Sequence, residues 1–156
     1  MKTSLVRDHF LADHRRLESI FERLLDAFEA NDREEMRSLW TDLEHGLLGH
    51  LEAEETYLYP AFIQECGARA RDMLAQHDRI RQRLADLGAA LDLHLVRLDA
   101  ASAFISELRA HAAEEDQFLY RWADERFEAS GRQRLVGALS YLPADRGPAA
   151  SQPATQ

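Results

Sequence analysis

Apolar residues recur at spacings of three and four through most of the 156-residue chain, the period of a helix that buries one face. The first stripe runs Phe10, His14, Leu17, Phe21, Leu24 and Phe28, and it weakens at Asn31-Asp32. Asp32 with Glu35 three residues later has the form of a capping box. A second stripe follows: Met36, Trp40, Leu43, Leu47, His50, Glu54, Tyr57 and Ala61. Pro60 lies inside it and withholds a backbone donor, so a kink or an early end is expected just before it. Cys66-Gly67 is expected to close helix two. The third stripe is Met73, His77, Ile80, Leu84, Leu87 and Leu91. After a turn over 92–98, Asp99 is expected to open a fourth helix carrying Phe104, Leu108, His111, Glu115, Phe118 and Trp122, with Ser130-Gly131 as its stop.

Four long helices with short connections predict an all-α, up-and-down antiparallel four-helix bundle. A short fifth helix is predicted over residues 133–142, which makes 1–142 one domain. Residues 143–156, PADRGPAASQPATQ, carry no apolar stripe and are expected to form a disordered tail.

Composition removes several function classes. No apolar run approaches the roughly 18 residues that a membrane span needs. The first ten residues, MKTSLVRDHF, do not read as a secretory signal, and the cytoplasm is the expected compartment. Cys66 is the only cysteine, so a thiolate metal cage and an internal disulfide are both excluded. A net charge of −9 without a basic stripe argues against nucleic acid and anionic membranes as partners.

The chemistry lies in histidine and glutamate. His9, His14, His50 and His111 each have an acid four residues on, but with 28 acids in the chain roughly one of seven histidines would show this by chance. Register is the better discriminator. His14, His50, His77 and His111 fall inside the apolar stripes of four different helices, whereas His9 and His45 lie five residues off, about 140° round the helix. Glu54 and Glu115 also lie on their stripes, and an unpaired buried carboxylate costs several kcal/mol, so a cation is expected to meet them. His9, His45 and His94 read as solvent-facing or loop residues.

An internal repeat strengthens the case. HLEAEETYLYP (50–60) aligns with HAAEEDQFLYR (111–121), pairing His50 with His111, Glu54 with Glu115, Tyr57 with Phe118 and Tyr59 with Tyr120. Upstream, His14-Arg-Arg-Leu mirrors His77-Asp-Arg-Ile. The chain is two similar hairpins, each giving one His from its first helix and a His–Glu pair from its second. Four His and two Glu suit two metal ions, each with two histidines, bridged by both carboxylates. Nitrogen and oxygen donors without thiolate fit iron first, with manganese, cobalt or zinc as alternatives.

The order His14, then His50 with Glu54, then His77, then His111 with Glu115 resembles the hemerythrin-like HHE cation-binding domains, over about residues 5–128. The resemblance implies two iron ions, oxo- or hydroxo-bridged, that bind dioxygen or another small diatomic or peroxide ligand. It implies a binding or sensing protein more than a dedicated enzyme. Oxygen-carrying members have a fifth histidine where this chain has Met73, and a last carboxylate that would fall on Asp116 rather than Glu115. The helical face favours Glu115, because Glu54 sets the same spacing. Glu18, Tyr57 and Asp116 are candidate assistants.

Two rivals keep the fold: a stress-response protein that oxidises iron or scavenges peroxide or nitric oxide at the same site, and a metal-free interaction bundle. A ferritin-like carboxylate site is excluded. It needs a Glu three residues before its metal His, and positions 11, 47, 74 and 108 are all Leu. No protein partner can be read from the residues.

Overall fold

The computed structural model describes residues 6–127, all helical apart from turns. The predicted fifth helix over 133–142, the Ser130-Gly131 stop and the 143–156 tail lie outside the described residues. Helix α1 spans Val6–Glu29, α2 Arg33–Tyr57, α3 Tyr59–Asp92 and α4 Leu98–Glu114. The last continues through a π-helical turn, Glu115–Leu119, into α5, Tyr120–Arg126. Each helix packs on the next, and α4 returns to α1, the neighbour order of an up-and-down bundle.

Local chemistry accounts for the ends. Asn31 takes a left-handed φ of 50°, and the Asp32 carboxylate caps α2 by accepting from the Glu35 amide at 3.2 Å. Only half of the capping box forms. The Asp32 amide bonds back to Ala27, while the Glu35 carboxylate meets Arg23 at 3.0 Å. Gly88 leaves room for Trp40 of α2, since a Cβ there would lie 3.0 Å from the indole Nε1.

The stripes up to Glu54 and Glu115 are buried as expected; beyond those two residues the expected register fails. Tyr57 is 45% exposed and Phe118 38% exposed, and Ala61 also faces solvent. Buried instead are Leu58 and Tyr59 after Glu54, and Leu119 and Tyr120 after Glu115. The cause is an extra residue in each helix turn. Helix α2 ends at Tyr57, Leu58 leaves regular geometry at φ −109°, and Pro60 sits in the first turn of α3. In the second hairpin the Tyr120 amide reaches back five residues to the Glu115 carbonyl, a π turn. Both breaks rotate the following residues by about 100°, one α-helical step. Phe118, left outside, lies under the Arg69 guanidinium, 3.6 Å from its ring centre.

Cys66-Gly67 does not close helix two. Helix two stops at Tyr57, and Cys66 is instead a kink within α3, with φ −123° and ψ 39°. A turn forms where one was expected but is shorter, over residues 93–97: α3 runs to Asp92 and α4 starts at Leu98, one residue before Asp99.

Two apolar clusters fill the bundle. The larger joins Leu17, Phe21 and Leu24 to Trp40, Leu43, Ile80, Leu84 and Phe104. The smaller joins Val6 and Phe10 to Leu58, Tyr59, Phe62, Met73, Leu119 and Tyr120. His14 lies between Phe10 and Leu17 in sequence, His50 between Leu47 and Leu58, and His77 between Met73 and Ile80, so the polar layer separates the clusters. Leu43 is fully buried about 10 Å along α2 from His50. Leu43→Ala is expected to cost about 2–5 kcal/mol in urea unfolding and to leave bound metal per chain unchanged. Metal loss in a folded Leu43→Ala protein would show that the polar layer is not independent of the larger cluster.

Candidate metal centre

All six predicted residues meet in that layer. His50, Glu54, His77, His111 and Glu115 are buried, and His14 is nearly so. They form two overlapping groups, His14, His50, Glu54 and Glu115, and Glu54, His77, His111 and Glu115, with the candidate ligand atoms of each group within 4.8 Å of one another. Each hairpin supplies its own histidine pair, and the two glutamates belong to both.

The distances have the scale of a coordination sphere. Adjacent ligand atoms on one ion, with bonds of about 2.1 Å, lie about 3.0 Å apart. His14 and His50 approach through Nε2 at 3.0 Å, and His50 Nε2 lies 3.1 Å from Glu54 Oε1. His111 Nε2 lies 3.2 Å from Glu115 Oε1, and His14 Nε2 lies 3.5 Å from that same oxygen. His77 Nε2 lies 3.4 Å from Glu54 Oε2 and 3.6 Å from Glu115 Oε2, near enough for charge but out of hydrogen-bond geometry. Glu54 Oε2, Glu115 Oε2, His77 Nε2 and His111 Nε2 are buried without a hydrogen-bond partner. Four unsatisfied atoms facing one space are costly unless a cation meets them. The donor set fits a pair of metal ions.

Three histidines are aimed from behind. His50 Nδ1 lies 2.6 Å from Asp13, which Arg16 holds at 2.7 Å. His77 Nδ1 lies 2.8 Å from Glu55, which Arg81 grips through two bonds at 2.7 and 2.9 Å. His111 Nδ1 lies 2.6 Å from the Gln76 carbonyl oxygen, and the Gln76 amide donates to Glu114 at 3.0 Å. When Nδ1–H donates outward, the Nε2 lone pair faces inward, which is the tautomer a metal requires.

These outer partners escaped the sequence reading because each acts on a neighbouring helix, where spacing along one helix is silent. The repeat held part of the signal. Asp13 and Gln76 directly precede His14 and His77, and Glu55 directly follows Glu54 as Asp116 follows Glu115. The symmetry fails at Asp116, which pairs with Arg7 at 2.8 Å and leaves His14 Nδ1 without a hydrogen-bond acceptor among the described residues. Glu18 is likewise engaged elsewhere, with Arg109 across α1 and α4. Tyr57 points away from the site.

Two tyrosines enter in its place. Tyr120 Oη donates to Glu54 Oε1 at 2.5 Å and lies 2.9 Å from His14 Nε2. Tyr59 packs edge-on against His77, with 5.2 Å between ring centres, and its hydroxyl is buried and unpaired. A cavity of about 240 Å³ opens beside His14, His50, His111 and Glu115, walled mainly by Leu17, Phe21, Leu47, Leu51 and Leu108.

Without metal, charge is shared as protons. Burial disfavours a charged His77, but contacts with Glu115 and Glu54 prevail and raise its pKa to about 10. Burial opposes a charged His50 too, and Glu54 and Asp13 hold it well above the usual 6.5. Glu115 stays well below the carboxylate range despite burial, because His111, His14 and His77 surround it. Burial raises Tyr59 and Tyr120, reinforced by the charges of Glu115 and Glu54.

The family model of the hemerythrin HHE cation binding domain matches residues 5–123 and, in an overlapping second match, residues 70–139. No curated protein and no solved structure matches the chain.

The metal-free protein is expected to have an acid-shifted stability optimum. The raised His77 contributes stability that is complete below its unfolded 6.5 and fades as pH rises to about 10. The lowered Glu115 contributes stability that is complete above 4.5 and is lost as pH falls. After chelation, Tm should peak between those limits and fall toward alkaline pH, and a flat melting profile from 6.5 to 10 would refute the protonated layer. In chelator competition, Asp13→Ala and Glu55→Ala are each expected to weaken metal binding by about 10–100-fold, while Asp116→Ala stays near wild type.

Proposed function

The chain belongs to the hemerythrin HHE cation-binding family, and from that premise we propose that His14, His50, Glu54, His77, His111 and Glu115 hold two iron ions that bind dioxygen or nitric oxide reversibly. The observation that carries this reading is the sharing of Glu54 and Glu115 between two histidine pairs. A carboxylate common to both groups would hold two cations at close range and offset their repulsion. Histidine and carboxylate donors accept several first-row metals, of which iron joins this donor set to redox chemistry. When bound, such an ion pair can exchange electrons with a small ligand.

The chain's own residues set the terms of access. The leucine-rich cavity leads a ligand to the His14, His50, His111 and Glu115 side of the layer. Its volume of about 240 Å³ holds several molecules the size of water, each about 30 Å³. Apolar walls favour neutral diatomic molecules, because a charged one would lose its hydration on entry. His50, His77 and His111, locked from behind, keep their donor atoms in place as a ligand arrives and leaves.

Purification without chelators followed by elemental analysis should give two metal ions per chain, one for each group. Glu54→Ala and Glu115→Ala should each lose both ions, since both groups share these residues, whereas His14→Ala should lose chiefly one. A wild-type protein with less than one ion per chain would overturn the reading. Optical spectra of the reduced protein, taken in air, without air and with nitric oxide, should show adducts that reverse on removal of the gas. Ligand consumption without a reversible adduct would assign the site to redox turnover instead.

A further inference from the structure

Tyr120 stands closer to the candidate ligand atoms than a residue merely packed behind them. Its Oη lies 2.5 Å from Glu54 Oε1, 2.9 Å from His14 Nε2 and 3.3 Å from His50 Nε2. Those atoms are themselves neighbours, with His50 Nε2 at 3.0 Å from His14 and 3.1 Å from Glu54. About 3.0 Å is the separation of adjacent donors on one ion with bonds near 2.1 Å. A phenol that only supported Glu54 from outside would approach the carboxylate and stay clear of both nitrogens. Tyr120 approaches all three.

Other features of the fold lead to the same place. The π turn at Glu115–Leu119 carries Tyr120 inward, where a regular helix would direct its neighbour Phe118. Phe10 stacks on the Tyr120 ring at 4.8 Å and fixes its plane, and the side chain is fully buried. His14, which Tyr120 meets, is the one histidine of the four without an acceptor behind it among the described residues, so this half of the layer is short of fixed donors. The repeat supplies an internal comparison. Tyr59 matches Tyr120 in sequence, yet its hydroxyl reaches no partner and only its ring meets His77.

Resting on the two-ion reading above, we infer that Tyr120 Oη is a fifth protein ligand to the ion held by His14, His50, Glu54 and Glu115, and that the two ions are therefore chemically unequal. On coordination the phenol O–H bond breaks, the oxygen keeps the electron pair as the metal–oxygen donor, and the proton leaves to solvent, as with other protons displaced by metal binding. An adjacent cation would make this loss favourable.

The test is to load the full-length chain with ferric iron and to measure, together, metal per chain, the visible absorption spectrum and the resonance Raman spectrum excited within any visible band. Two irons per chain, a phenolate-to-iron charge-transfer band and enhanced phenolate ring modes are expected for the wild type. Tyr120→Phe should abolish the band and the ring modes, while Tyr59→Phe should keep them. Circular dichroism and metal content on each variant separate loss of a ligand from loss of the fold, and the wild-type Raman spectrum is informative without any variant. Two irons per chain with no phenolate signature, or a signature that survives Tyr120→Phe, would overturn the inference and leave the two-ion reading intact. Iron content near zero in the wild type would overturn the two-ion reading itself, and this inference with it.

Discussion

Two carboxylates buried at the same level of a four-helix bundle govern this structure. Glu54 and Glu115 are all but inaccessible to water, and among the described residues no lysine or arginine pairs with them. Their counter-charge must come from the four histidines or from what the histidines hold. This requirement places a histidine on each helix and aligns the helices so that the four Nε2 atoms face one space. Folding stability then comes mainly from the apolar clusters on either side, which leaves the polar layer free to serve chemistry.

The breaks in helical register follow from the same requirement. After each glutamate the chain departs from α geometry, once beside a proline and once without one. Pro60 accounts for the first break through its missing donor. Residues 115–119 contain neither proline nor glycine, so local propensity does not explain the second. The two places have in common a buried tyrosine five residues after the glutamate that packs against a histidine, Tyr120 on His14 of α1 and Tyr59 on His77 of its own helix α3. Burying that ring and closing the layer offsets the poorer hydrogen bonding of the π turn.

Near-duplication makes the differences between the hairpins informative. Glu55 reaches His77 with Arg81 behind it, whereas its counterpart Asp116, one methylene shorter, pairs with Arg7 at the surface. The His14 half is therefore the less buttressed one, and it borders the cavity through His14 and His50, while His111 alone of the other pair does so. His77 itself is covered by Tyr59 on one side, and both His77 and His111 have outer partners.

The sequence by itself determined the all-helical architecture, the inward histidines and the two buried glutamates, because each depends on the period of a single helix. His14, Leu17 and Phe21 share a face whatever their neighbours do. The failures began where that period changed. Tyr57 and Phe118 looked inward on an α repeat and lie outward, since one inserted residue turns everything after it by about 100°. Only the tertiary structure decided that Tyr120 meets His14, that Asp13, Glu55 and Gln76 orient histidines on adjacent helices, and that Glu18 and Asp116 turn away to arginines. Those choices depend on how helices rotate and rise against one another, a matter of contacts between segments 22 to 109 residues apart, which no spacing within a helix records.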